Sequence, residues 1–246
     1  MKLILTLLLV VSPAMADDSK AIPQDSPALM GIDVGDFEED AESVYSKLRR
    51  LMFESREKRQ VRRINEAIAK RDPEAAQKEL DTLVRDYPDL KKEGAEAIGF
   101  HQATINFWRG DLNGAYEGFD KAVKEVERRF PSDSVPRDHK YWKENMHFLA
   151  KLYFGRGATE LHQRRYPQAI LDIDKAISIS PEPLAYMQFN KSRALLRMKQ
   201  YKKAAEAFDL AYKIDSNWTT NIEDKGEVCM LLGKNGYHPQ ACLPKK

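Results

Sequence analysis

The residues of this chain best suited to chemistry are two cysteines and five histidines. Two chemistries compete for Cys229 and Cys242. In an oxidising compartment a pair this close in sequence closes a disulfide, and the chain-entropy model gives about 3 kcal/mol for a loop of this length. A free thiol acting as nucleophile is the alternative, and it requires a lowered pKa. No C-x-x-C is present, which argues against a thioredoxin-like role. The histidines are His101, His139, His147, His162 and His238. His139 and His147 stand too far apart to meet a metal from adjacent helical turns, with Glu144 as the one acid between them. Asp172 and Asp174 are two apart, so on a helix they point away from each other. The sequence has no G-x-S-x-G elbow, no glycine-rich phosphate loop and no H-E-x-x-H. Catalysis needs about 8 kcal/mol or more of barrier lowering from a preorganised site. The expectation is a protein that is not an enzyme, without catalytic residues, cofactor or metal.

The choice between the thiol chemistries depends on compartment, and the start of the chain bears on that. Lys2 supplies a positive end, residues 3–11 form an apolar run broken by Thr6, and Pro13 ends it. Ala14-Met15-Ala16 then fits the small-x-small cleavage rule, so residues 1–16 read as a signal peptide cleaved after Ala16. The run is shorter than the roughly 20 apolar residues a spanning helix needs, and no later stretch reads as an integral membrane segment. The expected location is the periplasm, with secretion as runner-up. Lys and Arg number 40 against 38 Asp and Glu. That balance implies no polyanionic partner and disfavours nucleic acid. Asn217-Trp218-Thr219 matches a glycosylation acceptor, a pattern common by chance.

The elements that must position these residues are helical. Low glycine content and abundant Glu, Lys, Arg, Ala and Leu favour helix throughout. Residues 17–36 read as an acidic flexible tail containing Pro23, Pro27, Gly31 and Gly35. Within it, residues 28–34 are apolar, so the tail is either a linker or a segment that docks in a groove, with self-association as one consequence. Asp36 is a plausible N-cap for a helix over 37–56, with Val44, Leu48, Leu51 and Met52 on one stripe. Arg56, Lys58, Arg59, Arg62 and Arg63 follow as a basic cluster: a solvated face, or an anionic contact.

From residue 150 to 218 the chain says one thing twice. Tyr166 and Tyr201 are 35 residues apart, as are Ala169 and Ala204, Ile173 and Phe208, and Ala176 and Ala211. A small, a large and a second small residue at helical spacing share one face, where alanine admits a neighbouring helix and the large residue fills the remaining space. Pro181 ends the first copy. Weaker copies precede these two. Ala76, Leu80 and Leu83 follow a turn at Asp72-Pro73, and Ala115, Phe119 and Ala122 follow a turn at Gly110-Asp111. A fixed period of this length marks a stacked repeat array. The units are 57–90, 96–130, 150–183 and 185–218. They are interrupted over 131–149, where a helix from about Asp138 is expected to run on through Gly157 to Arg165. Residues 219–246 then supply a capping helix, with Gly226 in the place of Gly157, and a tail tied back by the two cysteines.

This pattern resembles the tetratricopeptide repeat family. The resemblance implies an all-α fold: a right-handed superhelix of about four antiparallel helix pairs plus a capping helix, an α-solenoid. Gly157 matches the small residue that the family places midway along its first helix, whereas Ser192 and Ser216 depart from the pattern. In that family the first helix of each pair lines a concave groove. By register this implies a peptide-binding surface of Phe100, Thr104, Phe107 and Trp108, then Phe154, Ala158, Leu161 and His162, then Tyr186, Phe189, Arg193 and Arg197, with Glu223 and Glu227 from the cap. Aromatics and arginine often carry binding energy, and arginine pairs well with carboxylate. The expected role is an interaction scaffold of the cell envelope holding another protein or peptide that carries apolar and acidic residues. The alternatives are a cell-wall or glycan binder using the same aromatics, and an accessory subunit of an envelope enzyme or assembly machine.

Overall fold

The computed structural model describes residues 56–222 and 224–243. The expected signal peptide, acidic tail and first helix lie outside the described residues, apart from Arg56. The described residues are all helix, turn and loop, without a strand. In order the helices are α1 (Arg56–Ala69), α2 (Pro73–Asp86), α3 (Leu90–Glu93), α4 (Ala95–Trp108), α5 (Leu112–Arg129), α6 (Trp142–His162), α7 (Tyr166–Ile179), α8 (Ala185–Arg197), α9 (Tyr201–Ile214), α10 (Ser216–Asn221) and α11 (Lys225–Lys234), with a 3₁₀ turn at Gln240–Cys242. The chain divides into two compact units, with the boundary between Leu152 and Tyr153.

Consecutive helices pack in adjacent pairs, and the same turn closes four of them. Arg71, Gly110, Arg164 and Lys199, with φ of 55°, 81°, 61° and 59°, each take the left-handed conformation after the first helix of a pair. In each turn that residue's N–H donates to the carbonyl three back, and the next N–H donates to the carbonyl five back: Asp72 to Ala67, Asp111 to Asn106, Arg165 to Glu160, and Gln200 to Leu195. This is the Schellman arrangement, which satisfies carbonyls that a helix end would otherwise leave orphaned. Asp72 and Asp111 then cap α2 and α5 by accepting from the N–H groups of Ala75 and Gly114. Pro73 and Pro167 sit in first turns, where a missing N–H costs nothing.

Each repeated face is buried as its spacing requires. In the first unit Ala76, Leu80 and Leu83 of α2 and Ala115, Phe119 and Ala122 of α5 are all buried. In the second, Ala169, Ile173 and Ala176 of α7 and Ala204, Phe208 and Ala211 of α9 are completely buried. Glycine sets how closely the helices meet. A Cβ at Gly118 would lie 2.8 Å from that of Ala103, and one at Gly157 would lie 3.0 Å from both Asp172 and Ile173 and 3.1 Å from the Ala169 carbonyl oxygen. One period later Ser192 donates its hydroxyl to the Ala204 carbonyl at 2.7 Å. The departure from glycine at that position thus makes a bond to the carbonyl equivalent to the one Gly157 crowds. Gly226, expected to stand in the place of Gly157, does not: a Cβ there would meet nothing within 4 Å.

Helix α6 starts at Trp142, later than the sequence suggests, after turns over 131–141. At 21 residues it is longer than any other helix described. At the far end of the second unit, Val228 and Leu232 of α11, Ile222 and Ala241 close over the α9 face. Cys229 and Cys242 form a disulfide with Cα atoms 5.4 Å apart, and the Ala241 N–H donates to Asp209. The free-thiol alternative is thereby excluded. Replacing both cysteines by serine is expected to lower stability by about 3 kcal/mol, measured as the urea midpoint of the second unit.

Candidate functional site

Ten of the twelve residues expected to line a groove are no more than 9% exposed. In the first unit the edge of the Phe100 ring meets Phe119 at 5.9 Å and Phe148 at 6.0 Å. Thr104 turns its hydroxyl onto the Phe100 carbonyl of its own helix. Phe107 and Trp108 stand perpendicular at 5.5 Å, and the Arg71 guanidinium lies 5.2 Å from the Trp108 ring. In the second unit Phe154 packs edge-on against Tyr186 at 4.8 Å, while Phe189 lies 5.5 Å from Phe208 and 5.9 Å from Trp218. Ala158 and Leu161 are buried with them. The aromatic surface expected from the repeat register is therefore interior packing within each unit. Rings that bury their faces against one another gain more than rings left in water.

The two arginines have partners within the second unit. Arg193 pairs with Asp224 at 3.3 Å, both about a tenth exposed, and Arg197 pairs with Glu227 at 3.2 Å. The acids expected on a ligand are supplied from within the unit, by Asp224 just before α11 and Glu227 in its first turn. Glu223 lies outside the described residues. Burial, reinforced by the Arg193 charge, holds His162 well below the usual histidine range, at about 4. The unfolded chain takes up that proton near pH 6.5 and the folded chain only near 4. Stability is therefore expected to fall by about 3 kcal/mol between those values. In His162→Leu that part of the acid slope should disappear from urea midpoints taken across the window.

What the second unit does leave open is a cleft of about 650 Å³ on the opposite face of α8. Gln188, Lys191, Leu195 and Met198 line it from α8. At about 100° per residue they point roughly 180° away from Tyr186, Phe189, Arg193 and Arg197. Helix α7 contributes Pro167, Ile170 and Asp174, and Gln200 with Lys203, Glu206, Ala207 and Leu210 forms the wall at α9. The volume is that of a ligand cleft, usually about 300–1,000 Å³. Its rim is charged and its floor largely apolar. Asp174 and Lys191 pair at 2.7 Å across the α7–α8 seam. Lys203 and Glu206 are exposed and form no ion pair among the described residues. Leu210 is 43% exposed, a large apolar side chain on the rim.

No protein-family model matches the chain, and no curated protein matches it.

The sequence did carry a signal for this cleft. Tyr153 and Arg156 stand one period before Gln188 and Lys191. In the earlier pair the Arg156 guanidinium lies 5.2 Å from the Tyr153 ring and also grips Asp172 through two bonds of 2.5 and 2.8 Å. One period on, an amide and an amine replace ring and guanidinium. Among the described residues no group of three or more His, Cys, Asp or Glu is placed to hold a metal, and no helix is long and apolar enough to cross a membrane.

Proposed function

We propose that this protein is an exported interaction scaffold, built from tetratricopeptide-like helix pairs stacked as a superhelix, that holds a segment of another protein in the cleft between α7, α8 and α9. The observation that carries this reading is the cleft itself. It combines an apolar floor with a charged rim, and the helices forming it are locked by buried repeat faces. Rigid walls with a few convergent polar groups suit the recognition of a side-chain pattern. The disulfide supports an oxidising compartment, in keeping with export. The glycan reading has less support, because the rings it would stack on are packed inside and no aromatic lines the cleft. Affinity capture from the native envelope by the mature chain, compared with Leu210→Glu, tests the proposal. Proteins retained by the wild type and lost from the variant are expected. The reading is rejected by equal retention, or by co-sedimentation with insoluble cell wall that Leu210→Glu leaves unchanged.

A further inference from the structure

We infer that the occupant of the α7–α8–α9 cleft is an extended peptide whose main chain is read by Gln188 and Gln200. This inference rests on the scaffold reading above. Gln188 is 8% exposed, yet neither its carboxamide nor that of Gln200 takes part in a hydrogen bond among the described residues. Their amide atoms stay open at the cleft and uncommitted within the chain, so a bound group can take the place of water on them. Each carboxamide offers an acceptor and a donor pair, which matches the C=O and N–H of one peptide unit. A bound helix would keep those groups for its own ladder and leave both glutamines unmet. An extended chain presents them outward, and its alternate side chains point one way, toward the apolar floor at Ile170 and Leu195.

Charge fixes the rest of the ligand. The Asp174–Lys191 pair neutralises one wall, while Lys203 and Glu206 on the other are left to a partner. The complement is an acidic residue facing Lys203 and a basic one facing Glu206. The repeat itself does not demand these amides, since one period earlier the position of Gln188 is Tyr153. The amide is a feature of this pair alone among the two clear copies.

The test selects a displayed random-peptide library on the full mature chain with its disulfide closed, and measures labelled synthetic binders by fluorescence polarisation. Binders are expected to alternate apolar and polar residues and to carry both charges. Methylation of the peptide's backbone nitrogens, Gln188→Leu and Gln200→Leu should each weaken binding about tenfold. Lys203→Glu should weaken it and be rescued by a peptide whose acid is exchanged for lysine. Backbone methylation leaves the protein untouched, so it decides even where a variant folds poorly. Binders that turn helical on binding, or that ignore methylation and both glutamine variants while losing affinity for Leu210→Glu, overturn the extended ligand and leave the scaffold standing. A concentration-dependent dimer abolished by Leu210→Glu would make a second copy the occupant and overturn the inference. Enrichment of no peptide removes both readings.

Discussion

Phe208→Ala is expected to cost the second unit about 3–5 kcal/mol. Phe208 is completely buried, tilted on Phe189 at 5.5 Å, and Phe189 in turn meets Trp218 edge-on at 5.9 Å. Truncation removes the fully buried ring at one end of that chain of contacts. Its helix neighbours Ala204, Ala207 and Ala211 are too short to move into the void. The cost is therefore set near the top of the range, because a site that cannot collapse keeps its cavity. Phe208→Leu keeps most of the volume and should cost less than half as much. Urea unfolding of the two variants gives the comparison, and an unchanged midpoint for Phe208→Ala would show that the repeated large residue does not hold the pair together. The same geometry changes the meaning of Phe189→Ala. Read from sequence, this change should weaken partner capture and leave helicity intact. At 2% exposure it is a core truncation, and it should lower stability first.

The pairs were legible because burial of a repeated face leaves its spacing in the sequence. Ala169, Ile173 and Ala176 predict a close helix contact, and Gly157 lies so near Ala169 and Ile173 that a Cβ there would crowd both. The groove was not legible, because spacing tells which residues share a side of a helix and not what covers that side. Phe189 and Arg193 do share a side, but Phe208, Trp218 and Asp224 occupy it. The turns were half legible. Gly110 announces a left-handed residue, whereas Arg71, Arg164 and Lys199 adopt the same conformation without any compositional sign. The cleft was visible only as a difference between copies. Comparing Tyr153 with Gln188 shows a polar residue where packing would favour a ring. Such a local conflict in an otherwise consistent repeat is where function is to be sought.

Replacing Lys151 by methionine is expected to remove a pH-dependent rise of about 5 kcal/mol in the stability of the first unit between pH 7 and 10.5. Lys151 is 6% exposed, and burial pulls its amine down from the ordinary 10.5 to about 7. Each tenfold change in proton affinity is about 1.4 kcal/mol, which gives the figure of about 5 kcal/mol. The sign follows from which state holds the proton. Between pH 7 and 10.5 the unfolded chain binds it and the folded chain does not, so wild-type stability climbs across that window. Below pH 7 both states are protonated and the full penalty of a buried charge applies. Methionine keeps the length of the stem and has no charge to desolvate, so the slope should vanish in the variant. Above about pH 10 Tyr186 works in the opposite direction in the second unit. Burial raises its phenol well beyond the ordinary value, so only the unfolded chain loses that proton and stability falls again. Urea midpoints resolved for each unit, taken at intervals from pH 6 to 11, would separate the two effects. A Lys151→Met chain with the wild-type slope would mean that the amine keeps its charge in the folded state.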